Sequence, residues 1–211
     1  MAQHLANEEL VAEYACGSSS PGMSLLVSAH LTGTVERRQD VSLVEQVGGA
    51  LLCTEQSEEM SADALDRALS ALNESVGEQP LASHSASPLP NAVVDAVGMP
   101  YDQIRWKFVM PGVAGYDLDG FEGEHVSLLK AKPGVKLPQH THDGVEVTLV
   151  LQGALSDGGI VYQKGDVAMN DEADDHRPEI VGNETCICLI VRQGDLRFTG
   201  RFSRILNYLG E

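Results

Sequence analysis

Four residues offer the clearest chemistry in this sequence: His140, His142, Glu146 and His176. His140, His142 and Glu146 share one parity, so in an extended strand their side chains leave the same face. Asp143-Gly144 bends the chain between them, so parity supports the convergence without deciding it. Two imidazoles and a carboxylate aimed at one point suit a divalent cation. His176 is the candidate fourth ligand, because a hairpin around Asp157-Gly158-Gly159 returns the chain to the first three. Four protein ligands would close a tetrahedral zinc site. The same set with open positions suits iron, manganese or nickel. Cys186 and Cys188 lie on one face of a predicted strand. They read either as a redox-sensitive pair near the metal or as two small core residues.

The elements that must position these residues are short strands. HVSLLKA (125–131), EVTLVLQG (146–153) and CICLIVR (186–192) are rich in β-formers, and Gly, Pro and Asp clusters separate them. Such a pattern reads as a sandwich or barrel. The first half reads as helices. Asn7 caps one, Ser20-Pro21 starts a second, and Val41–Leu52 makes a third, weakened by Gly48-Gly49. Ser61 caps a fourth, with Leu65, Leu69, Leu72 and Val76 as its stripe. Cys16 and Cys53 read as helix-packing residues. Pro80, Pro88 and Pro90 among serines mark a linker. The expected organisation is a helical domain over 1–76, a linker over 77–91 and a β domain over 92–211.

The chain has 211 residues, with 14 basic and 31 acidic side chains, a net charge of −17. Residues 1–90 hold 13 acidic and 3 basic residues. That balance argues against direct contact with nucleic acid through a basic patch and favours a basic protein as partner. No apolar run has the length of a membrane span. The start has neither a basic nor an apolar leader segment. The four cysteines form no CxxC pair, so a reducing cytoplasm is the expected compartment.

The β half resembles the cupins, antiparallel jelly-roll barrels that hold a metal in the barrel mouth. Gly134, His140, His142, Glu146 and Gly153 match their first motif, G(X)5HXH(X)3E(X)6G. Gly165 and His176 keep the spacing of the second, while Asp171, Ala173 and Ile180 replace its Pro, Gly and Asn. Across nearly the whole chain the order of parts resembles the ChrR-type anti-sigma factors. ELVAEYACG (9–17), IRW (104–106), EVTLVLQGA (146–154), CICL (186–189), LRF (196–198) and the tail RILNYLGE (204–211) carry that likeness.

The resemblance implies an α+β two-domain protein: a small N-terminal four-helix bundle and a C-terminal all-β cupin jelly-roll barrel. It implies helices that sequester an ECF-type sigma factor and a cupin that answers singlet oxygen, a related oxidant or a ligand. It also implies one zinc per chain on His140, His142, Glu146 and His176, or another divalent metal in its place. The family's helical domain holds a second zinc through two histidines and an H-x3-C-x2-C segment. Here His4 and His30 match the histidines, but Thr34 and Arg37 stand at the cysteine positions. Threonine is a poor zinc ligand and arginine cannot ligate, so this site is expected to be empty. The competing expectations are a dioxygenase-like cupin metalloenzyme with a diverged helical arm, and a binding module that pairs as a homodimer through its barrel.

Overall fold

The computed structural model describes residues 4–73 and 87–200. Five helices come first: α1 (Glu8–Cys16), α2 (Pro21–Leu31), α3 (Val35–Leu52), α4 (Ala64–Asn73) and α5 (Asn91–Val97). Eleven strands follow a 3-10 turn at Tyr101–Gln103. They are β1 (Lys107–Met110), β2 (Val113–Leu118), β3 (His125–Ala131), β4 (His140–His142), β5 (Glu146–Gln152) and β6 (Ala154–Asp157). Then come β7 (Ile160–Gln163), β8 (Val167–Asn170), β9 (Glu179–Val181), β10 (Cys186–Arg192) and β11 (Leu196–Phe198). One sheet runs β1-β2-β3-β10-β5-β8, a second β7-β6-β9 and a third β11-β4. Every strand pair is antiparallel. The three sheets lie in separate ladders and do not close into one hydrogen-bonded cylinder.

The centre of the large sheet is buried on both faces. Val150, Cys186 and Cys188 point inward and pack with Leu155 of β6 and Ile180 of β9, filling the space between the large and the three-stranded sheets. Val147, Leu149, Ile187, Leu189 and Val191 point outward and meet Leu26 and Val27 of α2 and Val93 of α5. This two-sided burial explains why EVTLVLQ and CICLIVR read as continuous apolar runs rather than alternating ones. One apolar cluster therefore joins helices and sheet. Among the described residues, no helix is long and apolar enough to cross a membrane.

The helix signals act as their chemistry dictates. The Asn7 side chain accepts from Leu10 N at 2.8 Å, and Gly17 ends α1 in the left-handed conformation. Pro21 opens α2, where its missing N–H would be unpaired anyway. The free N–H groups there find an acceptor outside the helix: the Glu124 carboxylate takes hydrogen bonds from Ser20 Oγ (2.5 Å) and Gly22 N (2.8 Å). Gly22 is required by contact, because a Cβ there would meet Glu124 Oε2 and Val126 Cγ2, each at 2.8 Å. The barrel thus caps the helix that covers it.

Two elements depart from the sequence expectation. Helix α3 begins at Val35, six residues before Val41, and runs through Gly48-Gly49. Packing of Val41 in the shared apolar cluster holds it, and tertiary packing overrides the glycine penalty. Helix α5 occupies residues placed in the linker and β domain. Val93, Val94 and Val97 are buried on α2 and the sheet, so the β-forming valines serve a one-sided helix. Residues 74–86, which include most of the expected linker and Val76, lie outside the described residues, as does the tail from 201 onward. Cys16 and Cys53 are exposed; both stand at helix C-termini, beyond the packed turns.

Replacing Glu124 with alanine should cost about 1–2 kcal/mol through loss of a charged cap. The melting temperature should fall by roughly 2–8 °C, and Glu124→Gln should lose less. Equal melting of all three proteins would sink the capping role.

Candidate metal centre

The structure brings together three of the four sequence-predicted ligands. Ligand atoms of His140, Glu146 and His176 all lie within 4.8 Å of one another, and all three residues are buried. His140 comes from β4 and Glu146 from the start of β5. His176 lies between β8 and β9 and is held by a reciprocal backbone pair: His140 N to His176 O and His176 N to His140 O, each 3.0 Å. Their ring centroids stand 4.3 Å apart. His142 lies outside the 4.8 Å set, with its ring centroid 5.5 Å from that of His176. It is 1% exposed.

The hydrogen bonds around the rings determine what the site can do. His140 Nδ1 faces Pro138 O at 2.7 Å and His142 Nδ1 faces Gly144 O at 3.1 Å. A carbonyl only accepts, so each Nδ1 carries the proton and each Nε2 keeps its lone pair. His176 Nδ1 faces Asp157 Oδ2 at 2.6 Å. The Nε2 atoms of His142 and His176 are buried with no hydrogen-bond partner. Buried polar atoms are rarely left without one. Two orphaned imidazole lone pairs beside a carboxylate fit a divalent cation.

Burial pushes His140 below the usual histidine range, and its neighbour His176 adds to the effect. At His176 burial acts the same way, but the hydrogen bond and charge of Asp157 outweigh it, so that histidine titrates higher than usual. When bound, a divalent ion would supply a positive charge that cross-links β4, β5 and the segment before β9. Asp157 was missed at the sequence level, where it was read only as part of a turn. Its parity with Leu155, an inward residue of the same strand, was the available signal.

Cys186 and Cys188 are buried in the space between the sheets, with their sulfurs 3.5 Å apart. Cys188 pairs with Val150 of β5, two inward positions deeper than Glu146. Their shared hydrogen bond lowers the Cys186 thiol and, with burial, pushes the Cys188 thiol well up.

Comparison with known proteins places this geometry. Residues 94–196 match the family described as the ChrR cupin-like domain. The anti-sigma-E factor ChrR of Cereibacter sphaeroides is 30% identical over 206 residues, spanning 97% of this chain and 96% of that protein. The chain belongs to the ChrR family of anti-sigma factors. The crystal structure of Rhodobacter sphaeroides SigE in complex with the anti-sigma ChrR contains a chain that superimposes with a TM-score of 0.75. It shares 28% identity and is covered to 99%, against 92% of this chain.

Against the family pattern, the two N-terminal histidines take protein partners. His30, 1% exposed at the end of α2, gives its Nδ1 proton to Gly165 O at 2.9 Å and accepts the Ala6 N–H on Nε2 at 3.4 Å. Both ring nitrogens are used. The His4 ring packs on Tyr162 at 5.0 Å. Its backbone donates to Asp166 Oδ1 at 3.0 Å and accepts from Val167 N at 2.7 Å. Thr34 Oγ1 donates to His30 O, and Arg37 pairs with Asp40 at 2.7 Å. His4 and His30 thus join the N-terminal segment and α2 to β7 and the β7–β8 turn, while Thr34 and Arg37 bond locally.

Two measurements follow. Glu146→Gln or His176→Ala should purify with less divalent metal than the wild type and bind it only weakly on titration, and chelation should lower the melting temperature of the wild type; unchanged metal content in both variants would dismiss the site. Burial holds His30 below its ordinary value of 6.5. The unfolded chain therefore gains a proton that the folded chain refuses, so stability is lost as pH falls below about 6.5. The melting temperature of His30→Gln should depend less on pH between 7.5 and 5.5 than that of wild type; equal slopes would refute the neutral, buried role.

Proposed function

We propose that this chain is an anti-sigma factor that sequesters an ECF-type sigma factor through its N-terminal helices. The cupin half holds zinc and releases the sigma factor in response to an oxidant, of which singlet oxygen is the type, or to a ligand. The observation that carries the reading is the match to ChrR over nearly the full length of both proteins, joined to the likeness to the ChrR of the SigE complex.

The helical surface supports it. Leu43, Val47 and Leu51 of α3 and Leu65, Leu69 and Leu72 of α4 are all exposed, the last three at 67%, 50% and 80%. On α4 they recur at i, i+4 and i+7, one stripe of a helix. A stripe left uncovered in the free chain is the surface a partner covers. The surplus of acidic residues in the first ninety suits a partner with basic, DNA-binding surfaces.

Closed around zinc by all four residues, the candidate donor set would leave no exchangeable position, as a sensor requires; the same set with an open position belongs to the metalloenzyme reading. His30 spends both ring nitrogens on Gly165 O and Ala6 N–H, which supports an empty second family site and a content of one zinc per chain. Cys186 and Cys188 are the candidate oxidant-sensing residues. The path from the cupin to the helices is short: Glu146 pairs with Asn170 across β5–β8, and Val167 of β8 bonds His4 O.

The test is co-expression of the full tagged chain with the ECF-type sigma factors of its own genome. One of them should co-purify at near-equal molar amount with one zinc. Leu65→Asp with Leu69→Asp should weaken capture by about 100-fold, since each buried leucine is worth about 1.5–3 kcal/mol. Capture of none, from cells in which those factors are present, would overturn the reading and return weight to the metalloenzyme.

A further inference from the structure

Of the three imidazoles near the candidate centre, two rest on neutral backbone carbonyls and one on a carboxylate. That carboxylate is Asp157, and the fold invests specific features in placing it. Strand β6 turns Leu155 and Asp157 inward. The chain then reverses through Gly158 and Gly159, at φ 55° and 84°, with Asp157 opposite Ile160. Two consecutive positive φ values make the mirror-type two-residue turn that matches strand twist, and side chains resist that conformation. The turn fixes Asp157 at the hairpin tip, 8% exposed, with Oδ2 2.6 Å from His176 Nδ1. Its Oδ1 is buried without a partner. A buried carboxylate held by a single imidazole is costly unless positive charge lies nearby.

We propose that Asp157 is the positioning residue of the metal centre: it holds His176 in the Nδ1–H form, aims Nε2 inward and strengthens it as a donor, and so governs how tightly the ion is retained. The proposal rests on the reading of a divalent ion held by His140, His142, Glu146 and His176. Its physical logic has two parts. A ring fixed by a carboxylate cannot flip to present the wrong nitrogen, and it is more basic than one fixed by a carbonyl. In addition, Glu146 and Asp157 together carry two negative charges, which match a dication in a site shielded from water.

The experiment is zinc competition against a chromophoric chelator, using the full chain. Asp157→Asn keeps the shape and an acceptor oxygen but removes the charge; Asp157→Ala removes both. Zinc affinity should fall about tenfold in the first and approach a hundredfold loss in the second. The d–d absorption of the cobalt-loaded Asp157→Asn protein should also change. In a His176→Ala background, Asp157→Asn should change affinity by less than twofold, because its route of action is gone. Wild-type affinity in Asp157→Asn, or the same tenfold loss with His176 absent, would overturn the proposal. A wild-type chain that binds no zinc would instead overturn the metal reading beneath it. Should Asp157→Asn not fold, Asp157→Ser takes its place in the same cycle.

Discussion

The pairing of β5 with β10 is the constraint on which the rest of the structure depends. Both strands are apolar on both faces, so each face needs its own cover. The three-stranded sheet covers the inner face, and α2 with α5 covers the outer one. Antiparallel sheets often leave one face to water; here the N-terminal helices take its place. Glu146 of the candidate metal centre begins the same β5 whose outward residues support α2. Site and helix-binding face are therefore two sides of one strand.

The N-terminal histidine on α2 is engaged by protein groups on both ring nitrogens. With Thr34 and Arg37 at the positions of the missing cysteines, His30 still points from α2 toward the start of the chain. Its two nitrogens now bond Ala6 N–H and Gly165 O. A neutral imidazole joins the two segments here with one donor and one acceptor. The cross-link extends further, because Gly165 belongs to the turn that precedes β8.

Much of this was legible in the sequence, for identifiable reasons. Strands β3, β5 and β10 match their expected bounds to within one residue, because their runs of β-branched and leucine residues end at glycine or polar clusters. Asn7 and Pro21 announced α1 and α2 through local chemistry. The candidate ligands were proposed from spacing, because ligand types are few and the motif fixes five positions; the structure brings His140, Glu146 and His176 together. Helix α5 was not readable: valine favours strands, and only the covered sheet face makes a seven-residue valine helix worthwhile. The start of α3 was hidden because its support, Val41 against neighbouring helices, is tertiary. Asp157 escaped because an Asp before two glycines is an ordinary turn; its role depends on His176, nineteen positions away in sequence.

The shared core has a consequence for synthesis. Helix α2 ends at Leu31, while β10, whose outer face it covers, begins at Cys186. The ribosome must add more than 150 residues between them, which takes roughly 8–30 s at usual elongation rates. For the later part of that interval the apolar face of α2 stands without the strand that later covers it. The order of translation thus presents the helices to their surroundings before the β domain exists to cover them.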